Sequence, residues 1–261
     1  MLYNTFAQLY SRGLTMEEKI YTIPINEAFE SDCSCPMCLI EKRLEDEAVE
    51  YALGAAMMEP DYRIESNEKG YCRRHFSQMR KSPNKLSLAL VLETHLDEVI
   101  RKLGENEKAV SSLNKHGLFK KNVLADVTKS ISDILDDTEH RCVVCDKVNS
   151  TMNRYCSVLL YMWKKDEAFR KKFSERGICL RHSRMLFDFA EKELSGTYAK
   201  EFVKILFEKQ QQELIKRREL VHKFTLKFDY RCRDMELGEA RTAVTDAIEK
   251  LCGYSDNQDS K

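Results

Sequence analysis

CPMC at Cys35–Cys38 and GYCRRH at Gly70–His75 return as CVVC at Cys142–Cys145 and GICLRH at Gly177–His182. Every chemical residue is displaced by 107 positions: 35 to 142, 38 to 145, 72 to 179, 75 to 182. Gly70 and Gly177 share the offset, as do Arg74 and Arg181, and Arg63 and Arg170. The spacing Cys-x2-Cys-x33-Cys-x2-His therefore occurs twice without a gap. A recurrence this regular reads as a tandem duplication.

Three thiolates and one imidazole form a standard tetrahedral set for zinc. A two-residue gap lets both members of a pair face one ion from a tight turn or a first helical turn. Each Cys-x-x-His pair follows a glycine and opens a polar–apolar helical pattern. That places Cys72 and Cys179 at helix starts, where free N–H groups and the helix dipole favour thiolate. This resembles the second half of a treble-clef site. The first half departs from it, because a helix rather than a hairpin follows Cys38. The expected ligands are Cys35, Cys38, Cys72, His75, Cys142, Cys145, Cys179 and His182. Residues 40–58 read as an outgoing helix and 59–70 as its return, so each repeat is expected to close its own site, the metal tying the base of a helical hairpin. Four side-chain ligands fill a zinc ion, which points to structural rather than catalytic metal. An iron–sulfur cluster is the alternative. Thioredoxin-like redox chemistry lacks its βαβ context.

The rest of the chain supports an all-α fold. Its 261 residues include only nine Gly and four Pro, and all four Pro (Pro24, Pro36, Pro60, Pro83) lie in the first third. Beyond them, good helix formers dominate. Apolar residues recur at helical spacing in Leu88, Leu92, Leu96, Val99 and Leu103, and in Val148, Met152, Tyr155, Leu159 and Met162. Tyr198, Phe202, Ile205 and Leu206 open another such stretch. The one short strand candidate is KIYTIPI at Lys19–Ile25. The expected organisation is an extension over 1–18, a first metal-binding unit over 19–125 and a second over 126–261.

The remaining chemistry is sparse. Cys33 and His140 could be spare ligands, with Cys33 read rather as a bystander near the site, and Cys156, Cys232 and Cys252 are read as buried thiols. His95, His116 and His222 are read as ordinary histidines, and Met57, Met58 and Trp163 as packing residues. No phosphate loop, nucleophile elbow or metalloprotease motif is present, and no carboxylate pair stands out, so no enzyme is expected. With 43 basic and 43 acidic residues, the formal charge is zero, which argues against a basic nucleic-acid wrapper. Residues 1–70 nevertheless hold 6 Lys/Arg and 14 Asp/Glu. Complementary faces within one fold are expected from this imbalance. No apolar run approaches a membrane span, and the N-terminus lacks the pattern of an export signal. Ten cysteines in a chain expected to be cytoplasmic favour metal over disulfides.

KIYTIPINEAFESDCSCPMC, GYCRRHF, RCVVCDKV, GICLRHS and KFDYR at Lys227–Arg231 together resemble a bacterial family of unknown function. Its members are about this long and carry the same doubled motifs. The likeness runs from about Glu18 to about Gly253. Some members are labelled transporter substrate-binding proteins, a role that needs an exported or lipid-anchored chain. The resemblance implies a cytoplasmic, duplicated metal-binding protein without established activity. It carries the family's presumed ligands onto the same eight residues. The expected role is a non-enzymatic interaction or regulatory protein with two structural zinc ions, acting on a protein partner or a second copy. The alternatives are an iron–sulfur redox or sensor protein and a nucleic-acid-binding regulator.

Overall fold

The computed structural model describes residues 16–113, 121–232 and 234–253. Residues 1–15 of the expected extension, and His116, lie outside the described residues. The chain is all-α, with no strand among the described residues. The helices are α1 (Met16–Glu30), α2 (Pro36–Leu53), α3 (Pro60–Lys69), α4 (Arg73–Lys81), α5 (Lys85–Gly104), α6 (Glu107–Leu113), α7 (Lys121–His140), α8 (Val143–Lys165), α9 (Glu167–Glu175), α10 (Leu180–Glu193), α11 (Gly196–Leu226) and α12 (Ala243–Cys252). Short 3₁₀ turns span Ala55–Met58, Tyr230–Cys232 and Gly238–Thr242.

Two compact units divide the chain. The outer unit takes residues up to Arg43 and from Thr151 onward, and the inner unit is the continuous stretch Leu44–Ser150. Outer and inner refer here to order along the chain. The expected boundary at 125/126 falls inside α7. The compact units therefore do not coincide with the sequence repeats.

In the outer unit, α1 replaces the strand expected at Lys19–Ile25. Tertiary burial overrides the β-branched composition: Ile25, Ala28 and Phe29 follow helical spacing and are buried. Phe29 packs on Phe169 and Phe173 of α9 at ring distances of 5.1 and 6.0 Å. Phe173 and Trp163 both meet Phe202 of α11, at 5.5 and 5.0 Å. The stripe on α8 buries Met152, Tyr155, Leu159 and Met162, as its periodicity predicts, and Trp163 is buried beside it. Asp166 caps α9, its Oδ1 accepting from the backbone N–H of Ala168 and Phe169. Arg170 donates to the Trp163 carbonyl and lies 4.6 Å over its ring. Cys156 is fully buried here, and burial, with the Glu193 charge adding, pushes its thiol up to about 12. The thiolate is thus negligible at neutral pH. Iodoacetamide should leave Cys156 unmodified in the folded protein and label it only after denaturation, as peptide mass mapping would show.

In the inner unit, α3 packs on α5. Gly70 ends α3 with φ +67°, and its N–H donates to the Ser66 carbonyl. A Cβ there would lie 2.4 Å from His95 Nε2. His95 Nδ1 in turn lies 2.8 Å from the Asn67 carbonyl oxygen. This contact decides which face of α5 turns inward. Val91 and His95 are buried, whereas Leu92 and Leu96 of the predicted stripe are exposed. Met58, expected to pack, is also exposed. Gly70→Ala combines a left-handed φ with that clash, and should destabilise the inner unit by about 1–3 kcal/mol from the backbone alone. Thermal unfolding of the metal-loaded protein would measure it.

Candidate metal centres

Each ligand pair begins a helix. Cys35 directly precedes α2, whose first residue is Pro36, a position where a missing N–H costs nothing. The Cys38 N–H donates to the Cys35 carbonyl at 3.1 Å. Cys142 stands one residue before α8, and the Cys145 N–H points at its sulfur at 3.5 Å. Cys72 and Cys179 occupy the N-cap positions of α4 and α10. The His182 N–H points at Cys179 Sγ at 3.4 Å. The structure thus bears out the expected helix-start placement, and the glycines serve it differently. Gly70 makes the turn, whereas Gly177 gives room, since a Cβ there would meet the Ser34 carbonyl oxygen at 2.6 Å.

The four pairs assemble into two quartets, but not within the repeats. Cys35, Cys38, Cys179 and His182 gather in the outer unit, and Cys72, His75, Cys142 and Cys145 in the inner unit. Each Cys-x-x-Cys has exchanged partners: it meets the Cys-x-x-His of the other repeat. This corrects the expectation that a metal ties each repeat's own hairpin. The physical reason lies in the backbone: the Val143 N–H donates to the Gly70 carbonyl at 3.1 Å, and Gly177 leaves room for the Ser34 carbonyl oxygen, so each Cys-x-x-Cys is held beside the other repeat's Cys-x-x-His.

The donor atoms in each quartet lie within 4.8 Å of one another. In the outer quartet, His182 Nδ1 is 3.7 Å from Cys35 Sγ, 3.3 Å from Cys38 Sγ and 3.2 Å from Cys179 Sγ. Cys38 and Cys179 sulfurs are 3.6 Å apart. In the inner quartet, His75 Nδ1 is 3.3 Å from Cys72, 3.1 Å from Cys142 and 3.5 Å from Cys145, with 3.7 Å between the Cys72 and Cys145 sulfurs. Zinc–ligand bond lengths give tetrahedral edges of about 3.8 Å between sulfurs and about 3.6 Å between sulfur and nitrogen. The residues fit a single four-coordinate ion.

The crowded groups shift one another's protonation. Hydrogen bonds from Cys35 and Cys38 pull the Cys179 thiol far down. Cys38 is pushed far up by the neighbouring Cys179, Cys35 and burial. In the inner quartet, the Cys145 hydrogen bond carries Cys142 down to about 3, while Cys145 itself is pushed far up by Cys142. Burial disfavours the His182 imidazolium, but Cys179, Cys35 and Glu41 outweigh it and raise the group to about 11. Each cluster thus favours one thiolate and suppresses another, as crowded like charges must.

The two settings differ. All four outer ligands are buried, whereas Cys72 and Cys145 of the inner quartet are half-buried. The C-terminal helix α12 closes over the outer quartet. Its Lys250 ammonium is buried and donates to the Ile178 carbonyl at 2.7 Å, Gln210 Oε1 at 2.5 Å and Glu213. Ser34 Oγ donates to Glu249. Gly253, with φ +86°, lies so close that a Cβ would sit 3.3 Å from Cys38 Sγ and 3.7 Å from Cys179 Sγ.

Two carboxylates missed from the sequence complete the surroundings. Glu41 Oε2 lies 3.4 Å from His182 Nε2, and Glu45 Oε1 lies 3.1 Å from His75 Nε2. Arg181 grips Glu41 with two hydrogen bonds of 2.8 and 2.6 Å, and Arg74 pairs with Glu45. Against the cost of burial, His182 and Arg181 hold the Glu41 carboxyl below its usual range. Cys33 and His140 stand outside both quartets: Cys33 Sγ faces the Ala28 carbonyl at 3.7 Å, and His140 is exposed beside Asp136. Cys232 is half-buried and Cys252 exposed, against the expectation of burial for both.

The chain matches the Family of unknown function (DUF6062) over residues 16–258. It belongs to this family. Both quartets, Glu41, Glu45 and Gly253 fall within the matched region of the DUF6062 chain. No curated protein and no solved structure matches it significantly. Among its described residues, no helix is long and apolar enough to cross a membrane.

Proposed function

We propose that this DUF6062 protein is a cytoplasmic, non-enzymatic scaffold that arose by duplication and holds two structural zinc ions. One observation carries the reading. In each quartet three sulfurs and one imidazole nitrogen lie at separations matched to a single tetrahedral ion. A set within 4.8 Å favours one ion over an iron–sulfur cluster, whose ligands spread around several irons and sulfides. Four side chains complete the coordination of zinc, so substrate has no open position and the metal's contribution is to folding.

The scaffold acts through its surface on a protein partner or a second copy. Phe228 and Tyr230 of the KFDYR stretch support this, at 78% and 85% exposed. Aromatic residues so presented are enriched at interfaces.

Elemental analysis and a visible spectrum on untagged protein purified without oxygen test the metal. About two zinc per chain and no colour are expected. Iron with inorganic sulfide and visible absorbance would overturn the assignment.

A further inference from the structure

Glu41 and Glu45 are 7% and 4% exposed, one turn apart on α2. A carboxylate buried on a helix face needs a reason, because an apolar side chain of similar volume packs there at no desolvation cost. Their arginine partners do not supply it. The Arg181 and Arg74 side chains are 39% and 48% exposed and would reach a carboxylate at the surface equally well.

The reason lies on the other side of each carboxylate. In both quartets the histidine turns Nδ1 toward the three sulfurs and Nε2 toward the glutamate. In the inner quartet Glu45 Oε1 is in hydrogen-bond contact with His75 Nε2, whereas in the outer one Glu41 Oε2 stands at an ion-pair distance of 3.4 Å and His182 Nε2 makes no hydrogen bond. A carboxylate beside Nε2 favours the proton there. With zinc bound, that leaves the Nδ1 lone pair to the ion, the tautomer a metal requires. The arginine immediately before each histidine holds the carboxylate in place, which accounts for the recurrence of Arg74 as Arg181 in the two motifs. Gln78 Nε2 adds a further contact to Glu45 Oε2 at 3.4 Å.

Repetition does not explain these carboxylates. Shifted by 107, Glu41 and Glu45 fall on Val148 and Met152, both apolar and buried. Both glutamates come from α2, which also carries the ligand Cys38 on the same side at i−3 from Glu41. On the reading that the quartets hold zinc, we propose that Glu41 and Glu45 are positioning residues. Each sets the tautomer of one ligand histidine, and with it the metal affinity of one site.

The test uses full-length zinc-loaded protein and the variants E41Q, E45Q, E41L and E45L. Zinc transfer to a chromophoric chelator gives the affinity of each ion, and ¹⁵N-detected histidine spectra give the tautomer. Glutamine keeps shape and an accepting oxygen, and leucine removes both. The 41 variants should weaken one zinc ion by about 10–100-fold, the leucine more than the glutamine, leaving the other at its wild-type value. The 45 variants should do the converse. Nε2–H should be populated in the wild-type protein and lose its dominance when zinc is withdrawn from the variant site. Glutamine variants with wild-type helicity, wild-type affinities and unchanged tautomers would overturn the proposal, as would equal weakening of both ions by either glutamate. Wild-type protein that takes up no zinc would instead overturn the metal reading, before any variant is compared.

Discussion

Adding Cys35→Ser to a chain that already carries His182→Asn should remove no further zinc. Both residues belong to the outer quartet, and either change alone already disables it. Adding Cys35→Ser to His75→Asn should instead remove both ions, because the two changes strike different quartets. Pairing within the repeats would give the opposite result, with Cys35 and His75 redundant and Cys35 and His182 additive. Zinc per chain, measured on the three single and two double variants, decides between the patterns. Each lost ion should also destabilise its unit by several kcal/mol, since structural zinc contributes directly to folding.

Complete removal of metal should unfold the protein. Zinc binding to zinc-finger peptides is worth an apparent ~10–16 kcal/mol at neutral pH, while a whole domain is commonly stable by only ~5–15 kcal/mol, so even several kcal/mol per ion is a large share. No unit can lose its ion and keep much margin. Chelation should proceed in two phases. The inner quartet, with Cys72 and Cys145 half-buried, should release first. The outer one should follow more slowly, because Gly253 and the Lys250 contacts of α12 must first detach. Far-UV circular dichroism followed alongside zinc release would show helicity falling in step with each phase. One concerted phase, or helicity retained after both ions leave, would refute this order and this dependence.

The eight Cys and His residues of the two clusters were legible because they recur at a strict spacing in the chain. Their grouping was not. A ligand pair at a helix start has the same local sequence whichever partner it finds, so the 107-residue offset identifies the pairs without saying how they combine. The helices were equally legible and their buried faces less so. On α5, periodicity marks Leu92 and Leu96, yet His95 turns inward because Gly70 leaves room for its ring and the Asn67 carbonyl meets it. On α1, a β-branched run around Pro24 becomes helical because Ile25, Ala28 and Phe29 find an aromatic core. Glu41 and Glu45 were hidden among many helical acids. A signal existed: Cys38, Glu41 and Glu45 share one face at helical spacing, and Arg74 and Arg181 recur beside the histidines.

The inner unit interrupts the outer one as a continuous stretch, and this has a consequence during synthesis. The inner sulfurs of Cys72 and Cys145 are 73 residues apart, and the outer sulfurs of Cys38 and Cys179 are 141. In closure entropy the longer loop costs only about 0.6 kcal/mol more. In time it costs far more, because at ~5–20 residues per second a ribosome takes roughly 7–30 s to cover that span. Throughout it, Cys35 and Cys38 are exposed without their native partners. Of the eight quartet residues, the first four to emerge are Cys35, Cys38, Cys72 and His75, a set that belongs to neither quartet. A zinc ion captured by the nascent chain at that stage would have to be surrendered before either native site could close.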